Sequence, residues 1–253
     1  MSGPVISMKT GRWFLTDRIR DQVDWWATLQ SQGVAPPAVQ KPAAEGAAII
    51  SLPGRAAWNL ADGDLIEAIA QRESHRRFSA TPLALSELAF LLWSTQGVRR
   101  QLHEAAVLRT VPSAGCRHPF ETYLAVLAVE GLAPGIYRYL PLEHALVLEQ
   151  VLADLGQELV AATRGQRFAG QAAVTFIWSV IPARTEWRYA EASAKVIALD
   201  AGHVCQNLYL ACEMVDCGTC AIAAYDQDRC DQLIAADGKD EFVIYLAPVG
   251  KLH

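Results

Sequence analysis

Thr122-Tyr123-Leu124-Ala125-Val126-Leu127-Ala128-Val129 is the stretch on which the reading of the fold turns. Branched and aromatic side chains dominate it, and both sets of alternating positions are apolar. A strand of that kind is covered on both faces, whereas a strand with one wet face alternates. Glu130-Gly131 and Pro134-Gly135 follow as turn signals, and residues 136–140 read as a second strand, so the pair predicts a hairpin. Further on, residues 172–180 predict a third strand and residues 219–224 and 242–247 two more. Residues 190–214 predict a long helix with Val196, Leu199, His203, Gln206 and Leu210 on one stripe. Gly202 inside it costs stability relative to alanine, which points to close helix packing. Upstream, Leu65, Ile66, Ile69 and Ala70 recur at helical spacing after a candidate cap, Asp62, with Asp64 and Glu67 in the first turn. A second helix starts at Ser86, carries Leu88, Leu91 and Leu92 on one face and ends at Gly97. Helices and strands interleave without a regular βαβ rhythm, which favours an α+β fold.

Residues 1–60 differ from the rest. Residues 12–29 predict a short helix carrying Trp25 and Trp26. Residues 31–54 hold Pro36, Pro37, Pro42 and Pro53, a density that favours extended chain. They read as an N-terminal arm, over residues 1–60, packed on a body spanning 61–253, because Ile49, Ile50 and Leu52 need somewhere to bury. A flexible linker is the alternative.

Composition bounds the function. The 253 residues are 52% hydrophobic and 19% charged, outside the range of disordered chains. The net charge of −5 argues against broad nucleic-acid binding. The longest apolar runs, 123–129 and 172–180, fall far short of the roughly 20 residues that cross a bilayer. Residues 1–12 show no secretory pattern. The six cysteines, five of them after residue 204, read as reduced thiols of a cytoplasmic protein. There is no His-Glu-x-x-His, Walker A or Gly-x-Gly-x-x-Gly motif, which removes the usual zinc hydrolases, P-loop enzymes and dinucleotide-binding dehydrogenases.

Three segments could carry chemistry. Arg72-Glu73-Ser74-His75-Arg76-Arg77-Phe78 offers guanidinium forks and a hydroxyl suited to a phosphate. On composition alone a solvated basic helix end is the favoured reading. Arg109-Thr110-Val111-Pro112-Ser113-Ala114-Gly115 combines small side chains with a glycine that lets backbone N–H groups approach a planar ligand. An ordinary tight turn is the alternative. Ser113 fails as an elbow nucleophile, because Val111 takes the place of the first glycine and a strand follows. Cys212-x4-Cys217-x2-Cys220 matches a plant-type iron–sulfur spacing. It starts inside an amphipathic helix rather than a glycine-rich loop, so buried thiols are the better reading.

The order of further motifs resembles the FMN-dependent nitroreductase superfamily, and within it the SagB/ThcOx-type dehydrogenases. The shared pieces are Gly11-Arg12-Trp13-Phe14-Leu15, Ile69-x-x-Arg72-x-Ser74-x-Arg76-x-Phe78, Leu91-Leu92-Trp93-Ser94-Thr95-Gln96-Gly97-Val98, Arg109-Thr110-x-Pro112-Ser113-Ala114-Gly115, Gly131-Leu132-x-Pro134-Gly135, Ala201-Gly202-His203-x-x-Gln206-Asn207 and Pro248-Val249-Gly250-Lys251. The resemblance implies an α+β nitroreductase-like fold, with a central, mostly antiparallel sheet flanked by helices, in an intertwined homodimer. It implies FMN at the dimer interface, flavin redox chemistry on a small-molecule or modified-peptide substrate, and NAD(P)H as a possible donor. Arg72, Ser74 and Arg76 then become the phosphate clamp, with Lys251 as helper, which overturns the solvated-helix reading. Pro112, Ser113, Ala114 and Gly115 become the loop along the flavin ring, from the other subunit. Gly218 and Thr219 become the segment whose backbone N–H faces flavin N5. Azoline-oxidising members carry a Lys-Tyr proton-handling pair; here the matching text is Arg188-Tyr189. A guanidinium stays protonated and makes a poor base, so Arg188 is better suited to an anionic substrate or to the phosphates of a nicotinamide cofactor. The competing expectation is a flavin-binding partner subunit without turnover.

Overall fold

A computed structural model describes residues 7–61 and 63–253. The elements in chain order are α1 Met8–Leu15, β1 Ile49–Ser51, α2 Leu65–Gln71, α3 Leu85–Gln96, β2 Val98–His103, β3 Ala106–Arg109, β4 Phe120–Val126, β5 Gly135–Leu140 and β6 Ala145–Gln150. They continue as α4 Leu155–Ala162, β7 Val174–Val180, α5 Ala183–Tyr189, α6 Ser193–Glu213, β8 Cys217–Thr219, α7 Gln227–Leu233 and β9 Phe242–Lys251. The large sheet has seven strands in the order β1-β6-β5-β4-β7-β9-β8, and every neighbouring pair in it is antiparallel. β2 and β3 form a separate hairpin.

The double apolar pattern of residues 122–129 has a direct cause. One face of β4 and β7 carries Leu124, Val126, Phe176 and Trp178, which pack with Leu88, Leu91 and Leu92 of α3 and Val204 and Leu208 of α6. The other face carries Tyr123, Ala125 and Ile177, which pack with Leu155 and Leu159 of α4 and Leu233 of α7. The strand therefore lies between two helical layers, and all its residues are buried. The expected hairpin forms, with Tyr123 opposite Arg138 and Val126 opposite Gly135.

Several local expectations shift. Residues 12–29 are not one helix: α1 stops at Leu15 because the Thr16 N–H and hydroxyl both turn back to the Trp13 carbonyl, the hydroxyl at 2.7 Å. Trp25 and Trp26 lie in a following turn, where the Asp24 carboxylate accepts from the Trp26 N–H. Asp62, the expected cap of α2, lies outside the described residues. The cap seen is Asp64, which accepts from the Glu67 N–H at 2.9 Å. The strand expected at 219–224 is replaced by β8, which ends at Thr219, and by an isolated bridge from Ile222 to Leu246. α6 begins at Ser193 after a 3-10 turn at Ala190–Ala192, in which Ala190 has φ +43°. Gly202 has open space where a Cβ would stand, so no contact within this chain explains it.

Residues 38–52 run along the sheet. β1 pairs with β6 at its edge, and the Arg138 guanidinium donates to the carbonyls of Lys41 and Pro42 at 2.7 and 2.9 Å. Arg109 does the same to the Val39 carbonyl at 2.7 Å. These bonds give the proline-rich chain backbone partners that a free linker lacks. Among the described residues no helix is long and apolar enough to cross a membrane.

Candidate active site

The structure gathers the sequence-predicted residues into two groups at opposite ends of α6. The first surrounds β8. Arg72 ends α2, after which the chain runs beside β8, with Ser74 bridged to Thr219 and the His75 N–H donating to the Thr219 carbonyl at 2.9 Å. The approach is close enough to demand glycine at 218: a Cβ there would lie 2.6 Å from the His75 Cβ. The Ser74 hydroxyl is 3.0 Å from the Tyr209 hydroxyl, which in turn accepts from the Ala221 N–H at 2.9 Å. Either hydroxyl can donate in the Ser74–Tyr209 contact. The Arg72 guanidinium lies over the Tyr209 ring at 5.4 Å, and the Arg76 guanidinium over Phe168 at 6.0 Å. Among the described residues no carboxylate lies within ion-pairing distance of Arg72 or Arg76. Tyr209 was not singled out from the sequence; its position on the long helix facing β8 is a tertiary fact with no local motif.

Lys251 sits beside this group on β9, but its ammonium already donates to Glu87 Oε1 and, at 2.7 Å, to the Val215 carbonyl. Burial, the largest single influence, works against the charge, but the Glu87 hydrogen bond and the Cys217, Glu87 and Asp216 side chains together outweigh it, so the Lys251 pKa is raised. One donor remains for a ligand. Thr219 buries its hydroxyl against the Pro248 carbonyl at 2.9 Å.

The second group forms on the loop after β3 and on α5. The Ser113 hydroxyl donates to Asp200 Oδ2 at 2.6 Å and accepts from the His118 N–H at 2.9 Å. The Ala114 N–H also donates to Asp200, at 3.1 Å. Ser113 is thus a loop brace, with a carboxylate rather than an imidazole as its acceptor. Gly115 has φ +58°, and a Cβ there would lie 2.6 Å from Arg188 Cδ and 3.0 Å from the Tyr189 hydroxyl. The loop 112–115 and the Arg188-Tyr189 pair therefore meet within one chain. Asp200 was missed in the sequence because nothing in the amphipathic pattern separates it from a solvated helix charge; burial pushes its carboxyl pKa up, against the Ser113 and Ala114 hydrogen bonds. Along α6, Asp200 and Tyr209 are separated by about 13 Å of helix rise, so the two groups are apart within one chain.

His118 is buried in the second group and its pKa falls to about 3, first by burial and then by the Arg109 charge, with Arg117 and Arg184 adding. The unfolded imidazole titrates near 6.5, so between pH 6.5 and 3 the unfolded chain binds the extra proton. The associated stability is present above pH 6.5 and lost as pH falls. Lowering the pH from 7 to 4 is expected to cost about 3 kcal/mol through this residue. His118→Gln should flatten that part of the slope in thermal melts taken from pH 7 to 4, and an unchanged slope refutes the assignment.

The cysteines do not gather into a metal centre: among the described residues no three His, Cys, Asp or Glu groups are placed to hold an ion, and all six thiols are free. Burial pushes Cys205 and Cys217 up to about 12 and Cys212 well above its usual value, which suppresses thiolate chemistry.

The Nitroreductase family model matches residues 69–251, and the chain belongs to that family. A Methanocaldococcus jannaschii protein named as a putative nitroreductase is 30% identical over 188 residues, covering 74% of this chain and 90% of its own. Among solved structures, a protein from Anabaena variabilis, also titled a putative nitroreductase, is 26% identical at a TM-score of 0.64. The match covers 75% of this chain, which spans only 38% of that longer one. A chain of the E. coli microcin synthetase McbBCD complex, with truncated pro-MccB17 bound, is 17% identical at a TM-score of 0.60 and covers 100% of both chains.

Proposed function

We propose that the chain is an FMN-dependent oxidoreductase of the SagB type, acting as a homodimer on a small organic or peptide-derived substrate. The observation that carries the reading is the group around β8: two guanidiniums with no carboxylate partner among the described residues and a serine hydroxyl held against Tyr209, beside a glycine whose place a Cβ would crowd. Such a set fits a phosphate dianion. In this reading Arg72 and Arg76 bind the phosphate, Ser74 donates to it, and Tyr209 holds Ser74 and Arg72 in place. Lys251 contributes its remaining donor and keeps β9 closed on Glu87. FMN, when bound, supplies hydride transfer through its N5 atom.

The separation of the two groups along α6 supports a site completed by a second protomer. Pro112, Ser113, Ala114 and Gly115 of one chain would then flank the ring held by the clamp of the other, with Asp200 fixing the loop's shape. Gly218 and Thr219 would present a backbone N–H to the ring, stabilising negative charge as an oxyanion hole does. In the same reading Tyr189, whose hydroxyl lies near Gly115, moves a proton to or from substrate. Arg188 beside it binds rather than abstracts, since a guanidinium does not give up its proton at working pH. The division into an arm over 1–60 and an FMN-binding body over 61–253 belongs to the same proposal, supported by the hydrogen bonds of residues 39–42 to β3 and to β5 of the sheet.

The arginine at 188 favours a second reading, a flavin-binding partner subunit of a peptide-modifying complex. The likeness to a microcin synthetase chain supports that setting. Anaerobic addition of NADPH or NADH to FMN-loaded protein, followed by a quinone or nitroaromatic, separates the two. Bleaching of the yellow colour and rapid return on adding the acceptor are expected of the reductase. Colour that persists with both donors favours the partner subunit or a dehydrogenase fed by its own substrate.

A further inference from the structure

Between β3 and the loop that follows it lies a cavity of about 320 Å³, with Arg99, Arg109, Ser113, Cys116 and His118 in its wall. No carboxylate lines it. The surrounding fold is short of negative charge. Arg109 is 4% exposed and spends its fork on two neutral acceptors, Gln96 Oε1 and the Val39 carbonyl, leaving its Nε without a partner. Arg117 is 5% exposed; it donates to the Arg184 carbonyl and lies over the Trp187 ring, and one terminal nitrogen has no partner. Arg184 does meet a carboxylate, Glu121, but Arg138 stands 3.8 Å from the same side chain and one Arg184 nitrogen is also unpartnered. Asp200 is committed to Ser113 and Ala114. Arg117 and Arg184 stand outside the cavity's lining, and Glu121 offsets part of the Arg109 charge. Arg109, which is in the lining, still makes no ion pair with a carboxylate among the described residues, and burying such a charge is costly until an anion approaches it.

We infer that this cavity takes the carboxylate of an acidic substrate, with Arg109 in its wall and Arg99 at its exposed rim as the charges that select it. His118 fits the role: the arginines and burial keep it neutral, so it adds a hydrogen-bonding wall without adding a proton that titrates near neutral pH. The inference deepens the flavoenzyme reading and rests on it for one point only, that the loop 112–115, whose Pro112 and Ser113 also line the cavity, flanks the reacting ring. Carboxylates of this kind come from small aromatic or aliphatic acids or from the C-terminus of a peptide.

The test is a calorimetric titration of the full-length protein, with and without FMN, using sodium benzoate against benzamide, a neutral molecule of the same shape. Benzoate is expected to bind saturably, one per chain, at least tenfold more tightly than benzamide. Arg109→Gln should abolish that preference. Because Arg109 also ties β3 to Val39 and that variant can fail to fold, Arg99→Gln, at an exposed position, serves as the second variant: it should weaken benzoate severalfold with an unchanged melting temperature. N-acetylglycylglycine against its C-terminal amide then tells a peptide terminus from a small acid. Equal affinity for benzoate and benzamide, or no benzoate binding, overturns the inference. Benzoate selectivity in a protein that never takes up FMN leaves the cavity standing and removes the flavin reading; FMN uptake without benzoate selectivity does the reverse.

Discussion

Replacing Arg72 and Arg76 together by alanine is expected to abolish FMN retention on a desalting column and to raise the dissociation constant by two to four orders of magnitude. Hydrogen bonds to charged groups contribute about 1.5–3 kcal/mol each, so each arginine accounts for roughly ten- to 150-fold. Both side chains lie against aromatic rings at the surface of the fold rather than within a buried network, so the melting temperature of the ligand-free protein should stay within a few degrees of the parent's. Tyr209→Phe removes one hydroxyl that holds Ser74 and caps the Ala221 N–H, and should weaken FMN only severalfold. Fluorescence titration of free FMN measures all three. Unchanged affinity in the double variant contradicts the phosphate-clamp assignment.

Glu121→Gln is expected to produce the largest loss of stability of any single substitution considered. Glu121 is 2% exposed, and its carboxylate accepts from Arg184 and, at 2.8 Å, from the Lys41 N–H, with Arg138 nearby. Neutralising it leaves buried guanidiniums in a region already rich in them, with Arg109 and Arg117 close at hand. Removing one partner of a buried ion pair costs about 3–5 kcal/mol. In a chain of this size that corresponds to roughly 6–20 °C of melting temperature. The arm loses an anchor at the same time, because the Lys41 N–H then faces a weaker acceptor. Thermal denaturation followed by circular dichroism measures the change, and a fall of under about 2 °C contradicts the role given to Glu121.

The parts of the fold that were legible in the sequence are those with strong apolar periodicity. Residues 122–129 announced a strand covered on both faces, and the helices of α3 and α6 sandwich it against those of α4 and α7. Gly97 marked the end of α3 as expected. Short elements were less legible. α5 and α7 are seven residues long, too short for a hydrophobic stripe to stand out, and α5 carries two buried arginine-cluster neighbours, Arg184 and Trp187, that read as surface text. β8 was displaced because its three residues are set by pairing with β9 and by the pass of His75, not by their own β-propensity.

The candidate site divides in the same way. Arg72, Ser74 and Arg76 carry a spacing that the sequence displays, and their segment runs along β8, with Ser74 bridged to Thr219 and His75 against Gly218. Pro112 to Gly115 also carry a readable pattern, and Arg188 and Tyr189 meet them through the glycine that leaves room for both. Tyr209 and Asp200 carried no signal, because a helix face reveals its partners only once the sheet is in place. Glu121 and the arginines about it were likewise silent: charge pairs between β4, α5 and the arm are non-local by nature.

The central claim is that the β8 group holds the phosphate of FMN. Equilibrium dialysis of the purified full-length protein against FMN, read by visible absorption, tests it most directly, with riboflavin as the control that lacks only the phosphate. One FMN is expected to bind per chain, with riboflavin bound at least a hundredfold more weakly. Equal binding of the two, or no uptake of FMN by folded protein, would contradict it.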